Sequence, residues 1–243
     1  TFATVQILLG LGIAWRPTVK VALTVSVGWS LAVWWFGEGL GGVLRGSGTP
    51  IAGGPGAVLF YGLLAVLLWP AERDGIAPTF VAARALGMRA AKAVWAVVWS
   101  ALAYFALTGS GRSPQGVRDL IESESVGEPG WLVAIDRRSG SLVSHEGLAV
   151  AVVLAAVCAL IGLGIYLPDP FPRSVVAAAV VVAVVVWVVG QNFGMLFPGS
   201  ATDPDSGPLL ILVALAYWPR RRLPVTPEAQ SGTSALALGT AGE

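Results

Sequence analysis

The sequence predicts an all-α polytopic membrane bundle, with seven spans and an internal parallel duplication of a three-helix unit. Three observations predict it: a composition too apolar for a soluble domain, a series of apolar runs of which several are near bilayer length, and a segment that occurs twice. Hydrophobic residues make up 55% of the 243 and charged residues 12%, roughly half the charged share of an ordinary soluble domain. The 15 Lys and Arg against 14 Asp and Glu leave a net charge of +1, so no basic surface is available for a phosphate backbone and nucleic-acid binding is not expected. With one cysteine (Cys158) and one histidine (His145), the chain has neither an internal disulfide nor the ligands of a Cys/His or di-His metal centre. No cofactor is expected.

Taken in order, the apolar runs cover residues 2–15, 18–36, 56–69, 93–108, 147–167, 174–189 and 208–218. The basic residues sort by loop. Arg16, Lys20, Arg73, Arg84, Arg89, Lys92, Arg173 and Arg220 to Arg222 fall on one side of a seven-span alternation, and Arg45, Arg112, Arg118, Arg137 and Arg138 on the other. The richer side is predicted to be cytoplasmic. The expected location is the cell membrane, with the C-terminal tail inside and the 109–146 loop outside. The organisation is then a first repeat (1–70), a loop and linking helix (71–108), an extracytoplasmic loop (109–146), a second repeat (147–219) and a tail (220–243). The tail has no apolar period and is expected to be disordered. The chain starts at Thr1 without an initiator Met, and one further upstream helix, giving a four-plus-four protein, is expected.

Residues 34–55 align without gaps to residues 187–208, and eight of the twenty-two positions are identical. These are Trp34/Trp187, Gly37/Gly190, Gly41/Gly194, Gly46/Gly199, Ser47/Ser200, Thr49/Thr202, Gly54/Gly207 and Pro55/Pro208. Four spans separate equivalent helices, so the copies run parallel, related by an axis along the membrane normal. The third helix of each copy is short, reaching roughly 16–21 Å against about 30 Å of hydrocarbon. Either the Gly-rich connection before it dips into the outer leaflet, or the bundle tilts and the membrane thins locally.

Within the repeat, Gly37 and Gly41, and again Gly190 and Gly194, form a G-x-x-x-G pair that reads as helix packing. Glu38 lies inside the first pair, and a carboxylate at that depth is costly unless paired or protonated. It is the candidate proton or cation site of an outer cavity, with Gln191 as its neutral counterpart and Asn192 beside it; the structural alternative is a Glu–Gln bond or a Glu reaching headgroup water. Asp203 and Asp205 have a D-x-D-x-G spacing that offers carboxylates to a hard cation, but a Pro/Asp turn explains them as well.

In the outer loop, Ser113-Pro114 reads as a helix start, with Val117, Leu120, Ile121 and Glu124 opposite Arg118, Asp119 and Glu122. Trp131, Leu132 and Ile135 form a second apolar run. The loop is expected to lie over the helices as a lid. Trp15, Trp69, Trp95, Trp99 and Trp218 suit an interfacial aromatic belt.

The segments WWFGEGLGG, GEPGWL and VGQNFGMLFPGSATDPDSGPLL, with their W-x-x-G-[EQ]-x-x-G repeat, resemble a group of multi-pass integral membrane proteins of high-GC Gram-positive bacteria. The resemblance covers nearly the whole chain and implies a membrane fold but no activity. Two functional readings follow from the residues: a permease- or exporter-like protein with a cavity between the repeats, or a non-catalytic accessory subunit or scaffold. The lipid bilayer is the expected partner, and partner membrane subunits belong to the second reading. An enzyme lacks its usual Ser/His or Cys/His constellation, leaving only carboxylate chemistry by Glu38, Asp203 or Asp205.

Overall fold

The computed structural model describes residues 2–71, 79–124, 127–197, 199 and 203–220, and among them the chain is all-helical. The expected disordered tail from residue 221 to 243, together with Arg73, Ser200 and Thr202, lies outside the described residues. Helices α1 (Phe2–Ala14), α2 (Val19–Phe36) and α3 (Ala57–Leu67) precede α4 (Ala82–Leu86) and α5 (Met88–Thr108). Two helices of the 109–146 loop follow, α6 (Gly116–Glu124) and α7 (Gly130–Leu142), and then α8 (Gly147–Gly164), α9 (Phe171–Val185) and α10 (Ser206–Ala216). Four helices are long and apolar enough to cross a membrane: α2, α5, α8, and α9 continued by a π turn to Gly190. Helices α1, α3 and α10 are apolar but shorter.

The two short helices, α3 and α10, pack on each other, with α2 against α3, α9 against α10, and α5 along α8. Leu8, Val25, Trp35, Val97, Val153 and Leu160 point outward and are exposed. So much outward apolar surface suits an apolar solvent and is compatible with an integral membrane protein.

Trp95 and Trp99 depart from the aromatic belt. Both are buried, with ring centroids 5.6 Å apart, and Trp95 also packs at 4.8 Å against Tyr217. Trp95 Nε1 donates to Ile161 O (2.9 Å) and Tyr217 Oη to Ala91 O (2.8 Å), so these rings tie α5 to α8 and to the end of α10. A Trp with its N–H bonded inside the bundle loses nothing by leaving the interface. Trp15 and Trp218 are exposed.

In the 109–146 loop, the helix expected after Ser113-Pro114 is α6, and its Val117 and Ile121 are buried with Ile51 against Val150, Leu154 and Val189. Helix α7 differs: it buries Leu132, Asp136 and Gly140, while Trp131 and Ile135 stay partly exposed. Its inward face is therefore rotated from the apolar run that the sequence presents, and it carries a carboxylate inward.

Candidate functional site

Each long helix that precedes a short one ends in the same unusual turn. After α2, Gly39, Leu40, Gly41 and Gly42 all have left-handed φ (56°, 62°, 59° and 72°). After α9, Asn192, Phe193, Gly194 and Met195 do the same (43°, 56°, 67° and 57°). Four consecutive left-handed residues are rare because each L side chain crowds its own carbonyl, at about 1–2 kcal/mol per residue. The turn brings its third residue, Gly41 or Gly194, onto the backbone entering the next helix. A Cβ at Gly41 would collide with Pro55 O, and one at Gly194 would meet the Pro204 carbonyl. These glycines make room for the backbone that enters the following short helix rather than for a crossing helix. Gly190 admits the Ile51 carbonyl of the other repeat, and Gly37 ends α2 with its N–H on Val33 O (2.7 Å).

The tryptophan that opens each motif closes the same loop. Trp34 Nε1 donates to Pro55 O at 2.8 Å, and Trp187 Nε1 to Pro204 O at 3.0 Å. The first bond spans 21 residues and the second 17. The structural equivalent of Pro55 is thus Pro204, not Pro208 as the ungapped alignment has it, because the second connection is shorter.

Glu38 and Gln191 occupy matching places. Glu38 Oε1 accepts from Val58 N (3.4 Å) in the first turn of α3, and Gln191 Oε1 accepts from Gly207 N (3.0 Å) in the first turn of α10. Each satisfies one of the orphan donors at a helix start. Gln191 is also bonded through Nε2 to Ser206 Oγ (2.7 Å) and Pro50 O (3.3 Å), and it is fully buried. Glu38 keeps Oε2 buried without a hydrogen-bond partner.

Glu38 lines a cavity of about 580 Å³ between the two connections. Its lining includes Glu38, Asp203 and Asp205, the Thr49 and Ser47 region, and glycines of both turns, and no Lys or Arg is among the described residues that line it. The charges of Asp203 and Asp205 act on Glu38. Both aspartates also shape the start of α10: Asp203 Oδ1 accepts from Asp205 N (2.8 Å), and the Asp205 carboxylate caps Ser206 N. The D-x-D-x-G segment is thus a capped turn whose carboxylates border the cavity. Among the described residues no group of three His, Cys, Asp or Glu is gathered closely enough to hold a metal.

Asn192, expected beside Glu38 and Gln191, faces elsewhere. Its Nδ2 donates to Asp136 Oδ2 on α7 at 3.0 Å, and both residues are buried. Asp136 was concealed in the sequence by the apolar run around it; its spacing of four from Leu132, on one helical face, is the signal that marks it as inward. Burial holds its carboxyl above the usual range, against the lowering effect of the Asn192 bond.

Comparison with protein-family models, curated proteins and solved structures finds no match. The site is therefore read from its own geometry.

Proposed function

We propose that this protein is a permease-like integral membrane protein whose cavity between two equivalent segments admits a small cationic solute. The observation that carries the reading is that Glu38, whose Oε2 is buried without a partner, lines a cavity with two further carboxylates and, among the described residues, no Lys or Arg. A cation with N–H donors would complete that oxygen and offset the negative field. A volume of about 580 Å³ suits a small organic solute. In this reading the seven apolar helices all span the cell membrane, the short α3 and α10 leave the outer leaflet to the connections, and α6 and α7 form an extracytoplasmic lid. The matching left-handed turns, tryptophan bonds and helix caps support a parallel duplication.

The test is uptake by proteoliposomes holding the full chain, with radiolabelled guanidinium, a permanently charged N–H donor, against a neutral solute of similar size. Saturable uptake of the cation alone, lost in Glu38→Gln with the unfolding midpoint preserved, is the expected result. Equal, unsaturable leakage of both solutes would remove the permease reading.

The accessory-subunit reading has one observation in its favour: α1 packs on α2 and presents Ile7, Leu8 and Leu11 outward. A stoichiometric second polypeptide after gentle extraction, lost when these three become smaller, would favour it.

A further inference from the structure

A second group of buried oxygens lies outside the cavity, where α7 meets the left-handed turn after α9. Glu128 stands just before α7, Asp136 on its inward face, and Asn192 in the turn. The three side chains are 9%, 1% and 0% exposed. The Asn192 Nδ2 to Asp136 Oδ2 bond (3.0 Å) holds the amide against the carboxylate. Four oxygens have no hydrogen-bond partner: both carboxylate oxygens of Glu128, Oδ1 of Asp136 and Oδ1 of Asn192. The charge of Asp136 acts on Glu128, and no described Lys or Arg pairs with either carboxylate. Nearby on α6, Arg118 is turned to Glu122 at 2.7 Å.

Two buried carboxylates without a counter-charge, plus a buried amide oxygen, form an acceptor set with too few donors. We propose that Glu128, Asp136 and Asn192 form a binding site for a hard divalent cation, with calcium the ion of choice, which ties α7 to the turn after α9. The donors are all oxygen, which favours calcium, magnesium or manganese over soft metals. Two carboxylates balance a charge of two. Donors drawn from a loop, a helix and an irregular turn suit the flexible coordination of calcium better than the strict octahedron of magnesium, with water filling the remaining positions. The site needs only two acidic side chains because the third donor is a neutral amide. Asn192 serves both needs of its position, since Asn tolerates left-handed backbone better than most residues and also supplies a carbonyl oxygen.

The experiment uses the full chain in nanodiscs after chelation. Terbium luminescence excited through tryptophan reports binding, with Trp131 between Glu128 and Asp136 as the sensitiser, and calcium chloride is titrated against it. One equivalent of calcium is expected to displace terbium and to raise the unfolding midpoint by about 5 °C or more at a hundredfold excess over Kd. The Glu128→Gln/Asp136→Asn double variant should lose the terbium signal and unfold at a calcium-independent temperature, while Glu38→Gln keeps both responses. Absence of saturable calcium binding to the unaltered protein up to about 10 mM would overturn the proposal. So would a midpoint that rises on acidification but never with calcium, which would mark a proton-sharing pair. Loss of the signal in Glu38→Gln would move the site to the cavity and overturn it equally. If the double variant does not fold, the titration of the unaltered protein decides.

Discussion

The left-handed turn after α2 and the one after α9 share a backbone but differ in what their side chains do. The first has glycine at three of its four positions, with Leu40 the exception, and opens onto the cavity through Gly41 and Gly42. The second has one glycine, and its other three residues are engaged or placed at the cavity: Asn192 on Asp136, Phe193 against Trp187 and Trp131, and Met195 at the cavity wall. Each non-glycine residue there costs about 1–2 kcal/mol of left-handed backbone, and the contacts offset it. The preceding residue repeats the contrast: Gln191 has three hydrogen bonds, whereas Glu38 has one and keeps a buried oxygen free. The difference teaches that one turn is an anchor and the other an opening. A buried group without a partner is where a ligand has something to gain.

Gly41→Ala and Gly194→Ala test the shared backbone and carry the largest expected effect. Each adds a Cβ against fixed carbonyl backbone in a left-handed position, so each should destabilise the protein by about 3 kcal/mol or more, read as thermal unfolding in detergent. Gly39→Ala has open space around its Cβ and should cost only about 1 kcal/mol. Equal losses at Gly39 and Gly41 would show that the close approach is not what holds the turn.

Gln191→Ala against Glu38→Ala sharpens the contrast between anchor and opening. Removing Gln191 strands Ser206 Oγ, Gly207 N and Pro50 O, for about 2–4 kcal/mol. Removing Glu38 loses one long hydrogen bond and relieves an unpartnered oxygen, so its cost should stay below about 1 kcal/mol. The reverse order would mean that the first copy bears the load.

The anchor side also predicts a pH response. Burial raises both Glu128 and Asp136, the former further through the charge of Asp136. A carboxyl raised in the folded state contributes stability that is fully present below its unfolded value, about 4, and is lost as pH rises through the folded value. In chelator, the unfolding midpoint should therefore increase as pH falls from neutral toward about 4, and Asp136→Asn should flatten that increase. A flat profile in the unaltered protein would show these carboxyls to be solvated.

The smallest effect is expected from Glu38→Gln, which makes the two copies alike at this position. Stability should change by less than about 1 kcal/mol, because Gln retains the acceptor for Val58 N. A large stabilisation would indicate that the Glu38 charge is a burden on the fold.

Much of the fold was legible because apolar run length reports helices directly, and helices stand at each of the runs read from the sequence. Two parts of the site were legible for similar reasons. The recurrence of Trp, Gly and Glu/Gln marked both turns, and the isolated charge of Glu38 marked the opening. The buried tryptophans were not legible, because an indole at a helix end suits an interface and a core equally until its neighbours are known. Nor was the register of the second connection, since a shorter loop preserves its end points while shifting every residue between them. Asp136 and Glu128 were missed because their burial depends on where α7 docks, and short loop helices do not state their orientation in composition.

The sequence by itself determined the solvent of this protein, its helical segments and the chemistry that recurs in them, since these depend on local hydrophobicity and residue identity. Only the tertiary structure decided that Glu38 opens on a cavity with Asp203 and Asp205, that Gln191 is saturated, and that Asn192 turns to Asp136. Those outcomes depend on which donors and acceptors, distant in the chain, come within about 3 Å of one another.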